Sequence, residues 1–179
     1  MPLANGYILR EVGEALERIP KDAADSCVEL ITDSKRIFVY GVGRSGLVGQ
    51  AFAVRLVQMG LNVHFVGDTT TPIVKQNDLL IAISNTGETM SAVQTANIVR
   101  RLNAKVIVIT GKENSKLSHA GNVVVVISEP TDHERAKKAP LGTIFEDGAM
   151  IFLDGLVPVL MEKLKQSEHD MRARHAIWV

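Results

Sequence analysis

The chain has 179 residues, 20 Lys+Arg against 20 Asp+Glu, 46% apolar and 4% aromatic residues, and a single Cys. That balance excludes wholesale disorder, a collagen-like repeat and a disulfide scaffold, and it leaves no basic excess of the kind that binds nucleic acid or a membrane surface. At this length one domain spanning 1–179 is expected.

No apolar run reaches the ~18 residues needed to cross a bilayer. The first twenty residues intersperse Arg10, Glu11, Glu14, Glu17 and Arg18 among apolar ones, which is not a signal-peptide plan, so a cytoplasmic protein is expected. Ile8, Val12, Ala15 and Ile19 recur at helical spacing, and after Pro20 so do Ala23, Cys27, Leu30 and Ile31, which predicts two helices within 3–33. Cys27 has no metal-ligand partner spaced near it and sits at an apolar position of that pattern, so it reads as core.

Five β-branched runs follow, 36–40, 62–66, 79–83, 105–109 and 123–127. Their near-continuous apolar character suits parallel strands buried on both faces. The stretches 45–59 and 88–103 between them are long enough for helical crossovers. The pattern over 36–128 predicts an α/β fold, a three-layer α-β-α sandwich around a five-stranded parallel sheet. The segment 67–78, with Thr69-Thr-Thr-Pro72, has room for one or two helical turns, and 128–142 reads as a polar loop whose mixed-sign stretch Asp132–Lys138 is solvated.

C-terminal helices are expected over 143–176. Residues 144–164 carry apolar side chains over far more than the ~100° stripe of a surface helix, which points to a homo-oligomer, with complete burial inside one chain as the alternative. Pro158 should kink that helix near Asp154. Ser167-Glu-His-Asp170 reads as the cap of a last short helix.

Two strand ends carry candidate chemistry. Gly41-Val-Gly-Arg-Ser-Gly46 matches the dinucleotide fingerprint, but its glycines suit any phosphate brought to a helix N-terminus. Asp68 could then hold a ribose or cap the following turn. Ser84-Asn-Thr-Gly-Glu-Thr89 concentrates three hydroxyls and a glycine at a second helix start, which favours a terminal phosphate over an ordinary cap by Ser84 or Thr86. Thr143-Ile-Phe-Glu146 has capping-box spacing, and the residues alone favour that reading of Glu146. Arg55 reads as a structural ion-pair partner and His64 as packing on the sheet; His119, His133 and His169 lie among polar neighbours. No histidine shows a metal-ligand spacing.

The two loops resemble the phosphosugar loops of the sugar isomerase (SIS) domain family. Phe52-Ala-Val-Arg-Leu56, Val66-Gly-Asp-Thr-Thr-Thr-Pro72, Gly142-Thr-Ile-Phe-Glu146 and Arg174-His175-Ala176 extend the likeness almost end to end, closest to its 6-phospho-3-hexuloisomerase branch. Ser84-Asn-Thr-Gly87 stands where many relatives have Ser-Gly-Ser-Gly, and Ile177-Trp178-Val179 replaces a polar tail. The resemblance implies isomerisation of 3-hexulose 6-phosphate to fructose 6-phosphate, as in the ribulose monophosphate pathway of formaldehyde fixation. Glu146 would be the catalytic base, its pKa raised by a wall including Phe145, and His175 would move protons from a neighbouring subunit of a homotetramer. Gly43, Arg44 and Ser45 would lie against sugar or phosphate, and Ser84, Asn85, Thr86, Gly87, Glu88 and Thr89 would bind the phosphate. An enediol mechanism requires neither metal nor cofactor. Two other classes stay open: a phosphosugar sensor without a base, and a small dinucleotide-binding protein; phosphoheptose and arabinose 5-phosphate isomerases are competitors within the enzyme class.

Overall fold

A computed structural model of the chain describes residues 3–176. Strands β1 (Ile37–Gly41), β2 (Val63–Phe65), β3 (Leu79–Ser84), β4 (Lys105–Thr110) and β5 (Val123–Val126) form one sheet in the order β2-β1-β3-β4-β5, every pair parallel. Side-chain alternation assigns each strand's residues to two cores. Ile37, Val39, Ile81, Ile83, Ile107 and Ile109 pack on the face covered by α2 (Lys21–Asp33), α3 (Arg44–Gln58) and α6 (Thr143–Lys163). Phe38, Leu80, Ala82, Val106 and Val108 pack on the face covered by α4 (Met90–Arg101) and a 3₁₀ turn, Ser118–Ala120. These are the three layers expected. Helix α1 (Asn5–Glu17) joins the first core through Ala15 and packs on α6.

The strand order reverses direction between β1 and β3, which pair from Ile37↔Leu79 to Gly41↔Ile83. A crevice outside the carboxyl ends of the strands at such a point is where open α/β sheets take ligands. Both glycine-containing loops leave the sheet there.

Three local expectations change. Asp132–Lys138 is not a loop: Asp132 accepts the Arg135 amide at 2.7 Å and Glu134 pairs with Lys138, so the mixed charges build helix α5 (His133–Lys138). Residues 67–78 form turns rather than a helix. Asp78 closes them, accepting Lys75 N–H at 2.7 Å and both Nε and Nη2 of Arg36 at 3.1 and 2.6 Å. The third change concerns α6, which runs on through Pro158; Asp154 and Pro158 are both exposed, where water can replace the missing donor to the Asp154 carbonyl. Most of its surplus apolar surface is covered within the chain by α1, α2, α3 and the sheet, leaving Ile151 and Val159 about half exposed. No helix among the described residues is long and apolar enough to cross a membrane.

Candidate active site

The first loop is shaped by close backbone approach. A β-carbon on Gly46 would come within 2.6 Å of the Gly41 carbonyl oxygen, and Gly43 has φ +59°, so the chain can fold directly from β1 into α3. Arg44 is the first residue of α3, with an exposed side chain, while Ser45 is buried beneath it.

In the second loop, Ser84 is buried at the end of β3 and its hydroxyl lies 3.1 Å from that of Thr89. Gly87 turns the loop with φ +64°, and exposed Thr86 accepts the Glu88 amide at 3.2 Å. Neither Ser84 nor Thr86 caps α4, whose N-cap is Thr89. Two expected substrate contacts have their side chains engaged in the protein. Glu88 pairs with Lys116 at 2.8 Å, and that hydrogen bond holds its carboxyl below the usual glutamate range. Asn85 Nδ2 donates to Glu129 at 2.9 Å.

Glu146 lies in the first turn of α6, but the capping box expected of Thr143 and Glu146 does not form. The helix begins one residue too early for it: Gly142 is the N-cap, and the Thr143 hydroxyl donates to the Pro140 carbonyl at 2.7 Å. The carboxylate of Glu146 instead accepts from Arg44 Nε, and Asp147 lies 3.7 Å from Arg44 Nη2. The Glu146 hydrogen bond, with its charge, pushes the Arg44 guanidinium above its already high value. Phe145 does not wall this site, because it is fully buried in the sheet-side core. Arg44, Leu47, Val48, Glu146, Asp147 and Met150 line a cleft of about 200 Å³. A wider groove, about 340 Å³, lies elsewhere between α3 and the edge strand β2, where Asp68 is found.

His175 is not brought to this cleft in its own chain. It follows α7 (Glu168–Ala173), beside Arg55, Gln58, Glu168, Met171 and Arg172 in a separate cleft. Arg174 fixes the segment there, donating to the Gln58 carbonyl at 3.0 Å and Gln166 at 2.8 Å. Arg44 and Arg55 are about 16 Å apart along the α3 axis at the helical rise per residue. Arg55 bonds Gln58 at 3.0 Å rather than a carboxylate among the described residues. Ile177–Val179 lie outside those residues. His64 packs against Phe38 with the rings tilted by 30° and their centroids 5.3 Å apart, the sheet packing expected of it.

Glu129 is the participant that spacing did not expose. It lies beyond β5 on the same sheet edge and bonds both Asn85 and the Phe145 amide. Its only signal was a charged residue just past an apolar strand. No group of three or more His, Cys, Asp or Glu side chains that could hold a metal occurs among the described residues.

Two glycine-containing loops leave the switch point of a parallel sheet, and a carboxylate on a third element contacts Arg44 of the first. Residues 30–144 match the SIS domain model, and the chain belongs to the SIS domain family. It is similar to 3-hexulose-6-phosphate isomerase of Methanocaldococcus jannaschii, 38% identical over 157 residues covering 87% of this chain and 83% of that one. With the Bacillus subtilis 3-hexulose-6-phosphate isomerase it shares 33% identity over 173 residues, 94% of each chain. A crystal structure from Methanococcus jannaschii, from which a molecular function of 3-hexulose-6-phosphate isomerase was inferred, matches with a TM-score of 0.84 at 31% identity, covering 99% of this chain and 97% of that one.

Proposed function

We propose that this chain isomerises 3-hexulose 6-phosphate to fructose 6-phosphate, as in the ribulose monophosphate route of formaldehyde fixation. The observation that carries the reading is the contact of Glu146, at the start of α6, with Arg44, at the start of α3, on the sheet edge that holds the Ser84–Thr89 loop. The relatives' names supply the substrate.

With its carbonyl at C3 and its C6 oxygen phosphorylated, the substrate cannot close a five-membered ring and enters open-chain. Its phosphate sits on the Ser84–Thr89 loop, where backbone N–H groups and hydroxyls act together. Glu146 takes the proton from C2, an enediol forms across C2 and C3, and the proton returns to C3. Arg44 leaves Glu146 for the developing oxyanion or the phosphate. His175 of another copy moves the proton between the two oxygens.

That last role fits a homotetramer with sites between subunits. Its support is the distance of His175 from Arg44 within one chain, together with exposed Leu47, Val54 and Val57 on α3 and Ile151 and Val159 on α6. The whole chain is proposed to act as one SIS unit, since α1 and α2 share the core of the sheet. The cytoplasm is its proposed compartment, because a phosphorylated sugar is charged and does not cross a bilayer unaided.

To test the substrate, 3-hexulose 6-phosphate made in place by its synthase, arabinose 5-phosphate and sedoheptulose 7-phosphate are offered separately. Only the first should be consumed, yielding fructose 6-phosphate. Turnover of another sugar instead, or binding of all three without turnover, contradicts the reading.

A further inference from the structure

Glu129 ties together the two parts of the site that must act on opposite ends of the substrate. Its Oε2 accepts Asn85 Nδ2 at 2.9 Å and its Oε1 accepts the Phe145 backbone N–H at 3.4 Å. Asn85 belongs to the hydroxyl-rich loop; Phe145 is in the first turn of α6, one residue before Glu146. A single half-buried carboxylate therefore spans the phosphate loop and the helix that carries the proposed base.

The Asn85 carboxamide is held in a slot that leaves little freedom to turn away. A β-carbon on Gly111 would fall 2.3 Å from its Oδ1, and one on Gly142 would fall 3.0 Å from its Nδ2. The same position on Gly142 is 3.4 Å from Glu146 Oε1, so carboxamide and base border one patch of backbone. The Asn85 carbonyl accepts the Gly111 N–H at 2.9 Å, which fixes the loop to the end of β4. With Glu129 oxygens committed to the amide and the carboxamide, neither is aimed at a reacting carbon.

We propose that Glu129, acting through Asn85 and the Phe145 amide, is a positioning residue that sets the distance between bound phosphate and Glu146. The proposal rests on the isomerase reading above. In that reaction the phosphate is anchored on C6 while the proton leaves C2, so slack between loop and helix appears directly as misplacement of the base. A displacement of about 1 Å at such a site can cost ~10²-fold in rate.

The test is a double-variant cycle read as kcat and KM. Glu129→Ala and Asn85→Gly should each lower kcat by about 10- to 100-fold with KM changed less than about threefold. The double variant should fall no further than Glu129→Ala, because the effect of Asn85 passes through Glu129. Glu129→Gln, which keeps one acceptor, should recover part of the loss. Unchanged kcat in the singles, or losses that multiply in the double, would overturn the proposal. So would Glu129→Gln as inactive as Glu129→Ala with an altered pH profile, which would make Glu129 an acid or base in its own right.

Hydrogen exchange on Glu129→Ala gives a readout independent of turnover. Amides of 84–89 and 144–147 should lose protection together, by about tenfold or more. Loss at one segment only would refute the tie. A wild type inactive on hexulose phosphate would refute the isomerase reading, while the exchange result would still decide whether Glu129 couples the two segments.

Discussion

Arg44 and Glu146 form an ion pair of unequal exposure, and that asymmetry decides what Arg44 can do. Its side chain is 64% exposed while that of Glu146 is 12% exposed, so the guanidinium is the end of the pair that an incoming anionic substrate can reach. Arg44 also begins α3, where the helix dipole disfavours a cation, and Glu146 offsets this in the free protein. Arg44 was singled out by the glycine motif it belongs to, whereas the residues alone favoured a helix cap for Glu146 and only the resemblance made it a candidate base. Glu129 was not readable, since its partners lie 44 and 16 residues away and no local pattern records them. Cys27, read as core from helical spacing, is buried in the sheet-side cluster, and burial pushes its thiol from 9.0 to about 12. The unfolded chain ionises first, so this contribution is full below about pH 9 and is lost as pH rises toward about 12. Native protein at about pH 8 should resist a thiol reagent, and Cys27→Ala should flatten the alkaline fall in stability. Rapid labelling of the folded protein would contradict this.

Among elements, the caps separate what spacing can reveal from what it cannot. Ser167-Glu-His-Asp170 forms the capping box that its spacing predicted, with Asp170 N–H donating to the Ser167 hydroxyl at 3.2 Å and Asp170 accepting the Ser167 N–H at 2.9 Å. Thr143-Ile-Phe-Glu146 has the same spacing and forms none, because Arg44, far away in sequence, competes for the carboxylate and the helix starts a residue early. Asp132–Lys138 shows the opposite error, a mixed charge run whose cap and Glu134–Lys138 pair are enough to nucleate a short helix on the body of the protein. The Ser167 hydroxyl and amide hold Asp170 below its ordinary value. The support it gives α7 is therefore full above that ordinary value and lost as pH falls through the lowered one. Protection factors along 168–173, corrected for the intrinsic pH dependence of amide exchange, should fall on acidification in that window, and Asp170→Asn should lower them already at neutral pH. Identical exchange in the two proteins would show that the box does not hold α7.

At the scale of the molecule, the layers and the parallel strands follow from the apolar runs and crossover lengths, while the strand order comes from the structure and puts both glycine-containing loops at its switch point. Assembly was less readable from the apolar surplus of α6, because α1 and α2 cover much of it within one chain. The proposed sharing of the site between copies gives a sharper handle. Glu146→Gln and His175→Ala chains, each inactive alone, should regain about a quarter of wild-type activity when unfolded together and reassembled, since a random mixture builds that share of intact sites. No recovery in mixed oligomers would place both residues in one chain's site or remove His175 from the chemistry.

Everything in the proposed reaction depends on Glu146 taking the proton from C2. The most direct test is fructose 6-phosphate formation from 3-hexulose 6-phosphate by wild type and Glu146→Gln, with phosphosugar affinity measured on both. The expected result is a loss of kcat of about a thousandfold or more while affinity stays within about threefold. Equal turnover by the two proteins would contradict it and leave Glu146 as no more than the partner of Arg44.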